Sequence, residues 1–238
     1  MTPISDSARQ WEAMAQAELA RHKCPLPVDL VLAVIDRESS GMPGLVNAQS
    51  GAMGLMQVMP VVVRDYNAAT GDAISHDALK GKTEGDALKQ IRIGVWVLVR
   101  FWRSAYKYLS GRSDVMKADD LARIADLFYV AGPGATQRKL NTLEHPTWDA
   151  IETTYPDWNA LPHPRFVFAR LNTARWPWTS IFQWLDSKPV KYYPPGKGPI
   201  DGLILASIVI ALALWAIKKW GTHGKEKTAD NEQEEQEG

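Results

Sequence analysis

The sequence predicts a mainly α-helical domain followed by one C-terminal transmembrane helix, and three observations carry that expectation. Apolar residues recur at three- and four-residue spacing in several segments, the period of a helix with one buried face. Strand-like alternation is scarce, and Val61-Val62-Val63 is too short to mark a strand. Beyond a Pro-rich stretch, Gly202 to Ile217 carries no charged residue. With 238 residues, 45% of them hydrophobic, the chain can bury one main core with appendages.

The first helix is expected from about Ala8 to about His22, within an N-terminal segment, residues 1–25, that belongs with the main domain. Ser7 followed by Gln10 has the form of a capping box, and Trp11, Met14, Ala15 and Leu19 form one apolar stripe. Cys24-Pro25-Leu26-Pro27 ends that helix and starts a second, apolar all round from Leu30 to Ile35, hence buried. The longest helix spans about Asp86 to Ser110, with Leu88, Ile91, Val95, Leu98, Val99, Trp102, Tyr106 and Leu109 on one face. Another, near Asp119 to Tyr129, is stopped by Gly132-Pro133-Gly134, and a short one is expected near His163 to Ala174.

The main domain thus covers 26–175, followed by an aromatic, Pro-rich juxtamembrane linker over 176–199. Trp176, Trp178, Trp184, Tyr192 and Tyr193 are read either as core or as an aromatic belt at a membrane interface. As a helix, Gly202 to Ile217 spans about 24 Å, against roughly 30 Å of hydrocarbon. Ile200 and Trp220, with Lys218 and Lys219 snorkelling, extend it to a crossing over 200–220. Residues 221–238 read as a charged, disordered tail.

Composition excludes several classes. The 27 basic and 27 acidic residues cancel, leaving no electrostatic footprint for nucleic acid. Cys24 is the only cysteine, so neither a disulfide within the chain nor a thiolate cluster can form. His22, His76, His145, His163 and His223 lack metal-ligand spacing and read as surface or core residues; no metal and no cofactor is expected. The N-terminus lacks a basic start followed by an apolar run, so no secretory signal peptide is expected.

One segment carries chemistry. Glu38 closes an apolar helix, and both the apolar setting and the negative helix end favour a carboxyl that keeps its proton, as glycosidic-bond cleavage requires. Asp36, two positions away, points elsewhere and is a poor partner for it. In the loop that follows, Gly51 and Gly54 allow backbone to approach a ligand.

Glu38-Ser39, with Gly54-Leu55-Met56-Gln57-Val58-Met59-Pro60, resembles the signature of the soluble lytic transglycosylase family. Gln90-Ile91-Arg92-Ile93-Gly94-Val95-Trp96-Val97-Leu98 resembles that family's Asn-Ile-x-x-Gly-x-x-Tyr-Leu helix. Tyr129-Val130-Ala131-Gly132-Pro133-Gly134 resembles its Tyr-Asn-Ala-Gly-Pro-Gly turn, and Pro164-Arg165-Phe166-Val167 more loosely its late Thr-x-x-Tyr-Val motif. The resemblance implies a lysozyme-like helical fold with a cleft for the glycan strand of peptidoglycan. Carried over by position, Glu38 is the acid and then the base, while Ser50, Met56, Gln57 and Tyr129 line the cleft. The implied product ends in 1,6-anhydromuramic acid, and one enzymic carboxylate suffices because the substrate's acetamido group stabilises the cationic centre. Two positions depart from the family pattern: Val130 stands where it has the Asn after the cleft Tyr, and Gln90 where it has the helix Asn. Residues 61–85 match nothing specific.

A tail anchor without an export signal places the enzyme in the cytoplasm, away from peptidoglycan. Delivery on a virus particle resolves this, so the expectation is a phage virion-associated enzyme that opens the wall during genome entry. Its partners would be glycan strands, a lipid membrane through residues 200–220 and other virion membrane proteins. The alternatives are a bacterial secretion or conjugation transglycosylase in the inner membrane, a muramidase-type hydrolase with a second carboxylate, and an inactive structural membrane protein.

Overall fold

A computed structural model describes residues 2–112 and 117–187. The chain divides into two units, Met1–Tyr192 and Tyr193–Gly238, and all described residues belong to the first. The expected transmembrane helix over 200–220 and the tail over 221–238 lie outside the described residues. Among those described, no helix is long and apolar enough to cross a membrane.

The N-terminal helix is broken where continuity was expected. Helix α1 (Asp6–Arg9) is capped by the Ser5 hydroxyl, which accepts from Ala8 N–H, and α2 (Glu12–Arg21) begins after a turn at Gln10 and Trp11. The cap is therefore Ser5, not Ser7, whose carbonyl instead accepts from the Gln10 side chain. The break lets Trp11 turn inward and donate its indole N–H to the Gly41 carbonyl at 2.9 Å. Helix α3 (Val28–Ser39) starts after Pro27, and Leu30 to Ile35 are all fully buried, as a helix apolar all round requires.

Val61-Val62-Val63 resolves into α4 (Pro60–Thr70), opened by a proline at its first turn and closed by Gly71 in the left-handed conformation. A 3-10 turn, His76–Lys80, leads into α5 (Glu84–Ser110), the 27-residue axis of the domain, about 40 Å long. Thr83 and Asp86 form its capping box. Gln90, Ile93, Trp96 and Val97 are buried as well as most of the expected face, of which Leu88 and Tyr106 are only half-buried, because α2, α4 and α6 surround this helix. Gly94 is required here: a β-carbon on it would lie 2.3 Å from Met56 Sδ.

Helix α6 (Ala118–Ala131) ends at Gly132, and α7 (Pro133–Leu140) follows at once with its own N-terminal proline. Helices α8 (Trp148–Thr154) and α9 (Pro162–Phe168) pack on α6, and α9 stops at Phe168, short of its expected end near Ala174. Two isolated bridges pair Met53 with Val46 and Val58.

The expected linker from 176 onward is corrected in its first twelve residues. Trp176 is buried between Trp102 and Phe168, and α10 (Trp178–Asp186) buries Ile181, Trp184 and Leu185 on the domain. Arg103 on α5 caps α10 by donating to the carbonyls of Leu185 and Ser187 (3.4 and 2.8 Å) and lies over the Trp184 ring. Each such side chain stabilises by roughly 1.5–3 kcal/mol when fully buried, so Trp176 and Trp184 serve the core rather than a membrane belt.

Candidate active site

Glu38 is delivered by the last turn of α3. Its neighbours fix the register. Asp36 turns the other way, accepting from Ser5 Oγ at 2.6 Å and Arg170 Nε at 3.2 Å, which ties α3 to the N-terminal segment and to the chain beyond α9. The Ser39 hydroxyl reaches the carbonyls of Leu55 (2.9 Å) and Ile35 (3.1 Å), holding the following loop against the helix end. Glu38 is thereby left at the wall of a cleft of about 330 Å³, its side chain 19% exposed.

Ser50, Gln57 and Tyr129 line this cleft with Glu38, joined by Asn47, Met59, Val62, Phe101 and Val130. Gln57 sits in the left-handed conformation (φ 45°), and its amide donates to the carbonyls of Gly54 and Leu45, bracing the loop. Ser50 closes a tight turn: its N–H donates to Asn47 Oδ1 and its hydroxyl accepts from Ala52 N–H. Tyr129 donates its hydroxyl to the Met56 carbonyl at 2.6 Å. Burial, then the negative charge of Glu38 and Asp126, pushes its phenol well above the usual range, so it remains a donor. The Met56 side chain, expected in the cleft wall, is instead fully buried against Gly94; its carbonyl is the part that meets Tyr129.

Behind the loop stands Gln90, fully buried. Its Oε1 accepts from Leu55 N–H at 2.9 Å, and its Nε2 donates to the carbonyls of Leu79 and Gly81 at 3.0 and 2.8 Å. Gly54 faces this amide, and a β-carbon there would lie 2.6 Å from Gln90 Cγ; the glycine admits Gln90 rather than a ligand. Part of the stretch 61–85 has a place at the site: Val62 forms cleft wall, and residues 79–81 receive Gln90.

Sequence reasoning missed the groups beneath Glu38. His163 on α9 is buried, its Nε2 3.0 Å from Glu38 Oε1 and its Nδ1 2.7 Å from Oδ2 of Asp126, which is itself 1% exposed. Burial alone would lower the imidazole, but the carboxylates of Asp126 and Glu38 outweigh it and raise it to about 10. The contact spans α3, α6 and α9, far apart along the chain, so periodicity could not reveal it. One signal was present: Asp126 precedes the cleft Tyr129 by three residues on α6, hence shares its face. Among the described residues, no group of three His, Cys, Asp or Glu side chains is placed to hold a metal ion.

Compared with known proteins, residues 16–145 match the family described as the transglycosylase SLT domain. That range contains Glu38, Ser50, Met56, Gln57, Asp126 and Tyr129, and ends before His163. No curated protein matches the chain.

Proposed function

The chain belongs to the transglycosylase SLT domain family, whose members act on peptidoglycan, and from this we propose that Glu38 cleaves the β-1,4 bond between N-acetylmuramic acid and N-acetylglucosamine by intramolecular transfer. Glu38 gives a proton to the glycosidic oxygen as the bond from the muramyl C1 breaks. The substrate's acetamido group stabilises the cationic centre. The Glu38 carboxylate then takes the proton of the muramyl 6-hydroxyl as that oxygen closes on C1, leaving a 1,6-anhydro end. One observation carries this reading over hydrolysis: among the described residues lining the cleft, Glu38 is the only carboxylate, whereas an inverting hydrolase needs a second to activate water. Val130 joins Val62, Met59 and Phe101 in an apolar cleft wall, suited to the apolar faces of the sugars.

The proposal extends to a membrane anchor over residues 200–220, supported by the charge-free run from Gly202 to Ile217, and to carriage on a virus particle for wall penetration. Peptide mass spectrometry of purified particles tests the carriage, and absence of this protein refutes it.

Mass spectrometry of muropeptides released from purified sacculi tests the chemistry. The full-length chain should release anhydromuramyl products and Glu38→Gln none. Reducing muramic ends would make the enzyme a hydrolase, and no release by well-folded protein would leave a glycan-binding structural protein.

A further inference from the structure

Resting on the reading of Glu38 as acid and base, we infer that His163, held by Asp126, is a positioning residue that holds the proton Glu38 delivers and recovers in each turnover. Three facts of geometry carry this. His163 Nε2 lies 3.0 Å from Glu38 Oε1, and Glu38 is the only cleft carboxylate among the described residues. Nδ1 is engaged by Asp126 at 2.7 Å, which orients the ring so that the other nitrogen must face Glu38. Both His163 and Asp126 are nearly sealed from solvent, and the buried Nε2, which makes no hydrogen bond of good geometry, has the Glu38 carboxylate 3.0 Å away.

The groups around the imidazole are few. From α3 it faces Glu38, and from α6 it faces Asp126 and the Tyr129 ring, 6.2 Å away between centroids. The remaining nearby charges are engaged elsewhere: Asp36 with Arg170, Arg165 with Glu152, and Arg37 over Phe166. His163 thus sits between two carboxylates, and the single positive charge of its imidazolium serves both.

The proton account closes without a further reactant. The Nε2 proton passes to Glu38, and Glu38 gives a proton to the glycosidic oxygen as the C1–O bond breaks, leaving a neutral imidazole on Asp126. When the 6-hydroxyl oxygen bonds to C1, its proton returns through Glu38 to Nε2. The negative charges of Asp126 and Glu38 outweigh burial and keep the imidazole protonated through neutral pH, so a proton remains on the ring 3.0 Å from Glu38.

The experiment is the pH profile of anhydromuramyl release by the full-length chain, its His163→Gln and Asp126→Asn variants, with histidine nitrogen NMR on the same proteins and on Glu38→Gln. His163→Gln should move the alkaline limb down by at least about two pH units, while the rate at pH 5 falls by less than roughly tenfold. Asp126→Asn should move it the same way by less. In the parent the His163 signal should remain that of an imidazolium through neutral pH, and in Glu38→Gln it should titrate lower. An unchanged limb, an upward shift, or a His163 that titrates near 6.5 in the parent overturns the proposal. Should His163→Gln fail to fold, Asp126→Asn and the NMR titration decide alone. Reducing ends or no release from the parent would instead sink the transglycosylase reading, and the NMR result would still say whether Glu38 and His163 share a proton.

Discussion

Gln90 offers a strong test of what holds the active-site loop. Replacing it with Met keeps the side chain's length and approximate volume but removes every polar contact. Leu55 N–H and the Leu79 and Gly81 carbonyls then lose partners at 2.9, 3.0 and 2.8 Å, and Gly44 N–H a longer one at 3.4 Å, in a place where Gln90 itself is wholly sealed from water. A buried polar group left unpaired costs roughly 1–3 kcal/mol, and Gly81 is closer to solvent than Leu55 and Leu79, so the variant should lose about 3–6 kcal/mol. That is a large part of a typical total of about 5–15 kcal/mol, and should lower Tm by about 10–20 °C. Urea unfolding followed by tryptophan fluorescence, with calorimetry alongside, measures it. Gln90→Asn keeps an amide but is one methylene too short to reach both sides, and should fall between parent and Met variant. A loss under about 1 kcal/mol for Gln90→Met would refute the reasoning, since it would mean that water or a shifted loop satisfies these groups without the amide.

Tyr129→Phe removes the 2.6 Å bond to the Met56 carbonyl and should cost about 1–2 kcal/mol in urea unfolding. It should also lower the rate of anhydromuramyl release by at least about tenfold, because the segment joining Met56 to Gln57 loses its tie to α6; an unchanged rate would place that bond outside the chemistry. His22, buried beside Arg21 and Arg103, is lowered from 6.5 to about 4, by burial first and then by those two charges. A group lowered on folding contributes stability that is present above pH 6.5 and lost as pH falls toward 4. Unfolding free energy should therefore drop by up to about 3 kcal/mol over that window, and His22→Gln should flatten the drop; equal slopes in both proteins would exclude His22 as its source.

Much of this protein was legible from its amino-acid order, because the signals are local. The all-round apolar run Leu30 to Ile35 determined that α3 is buried and that Glu38 emerges at its end. Gly132-Pro133 determined where α6 stops, and the ordered motifs placed Glu38, Ser50, Gln57 and Tyr129 on one cleft. What failed locally failed for a tertiary reason. The first helix breaks where Trp11 turns inward to the distant Gly41 carbonyl, and the tryptophans beyond 175 read as linker because the α5 surface that buries them lies far away in the chain. Motif position assigned Met56 to the cleft, yet Gly94 opens a space beneath it that the side chain fills. Most of all, the pairing of Glu38 with His163 and Asp126 was decided only by the packing of α3, α6 and α9. A helix repeats every 3.6 residues and so writes its buried face into the sequence, whereas a contact between three helices is fixed by how their faces dock, which no repeat records.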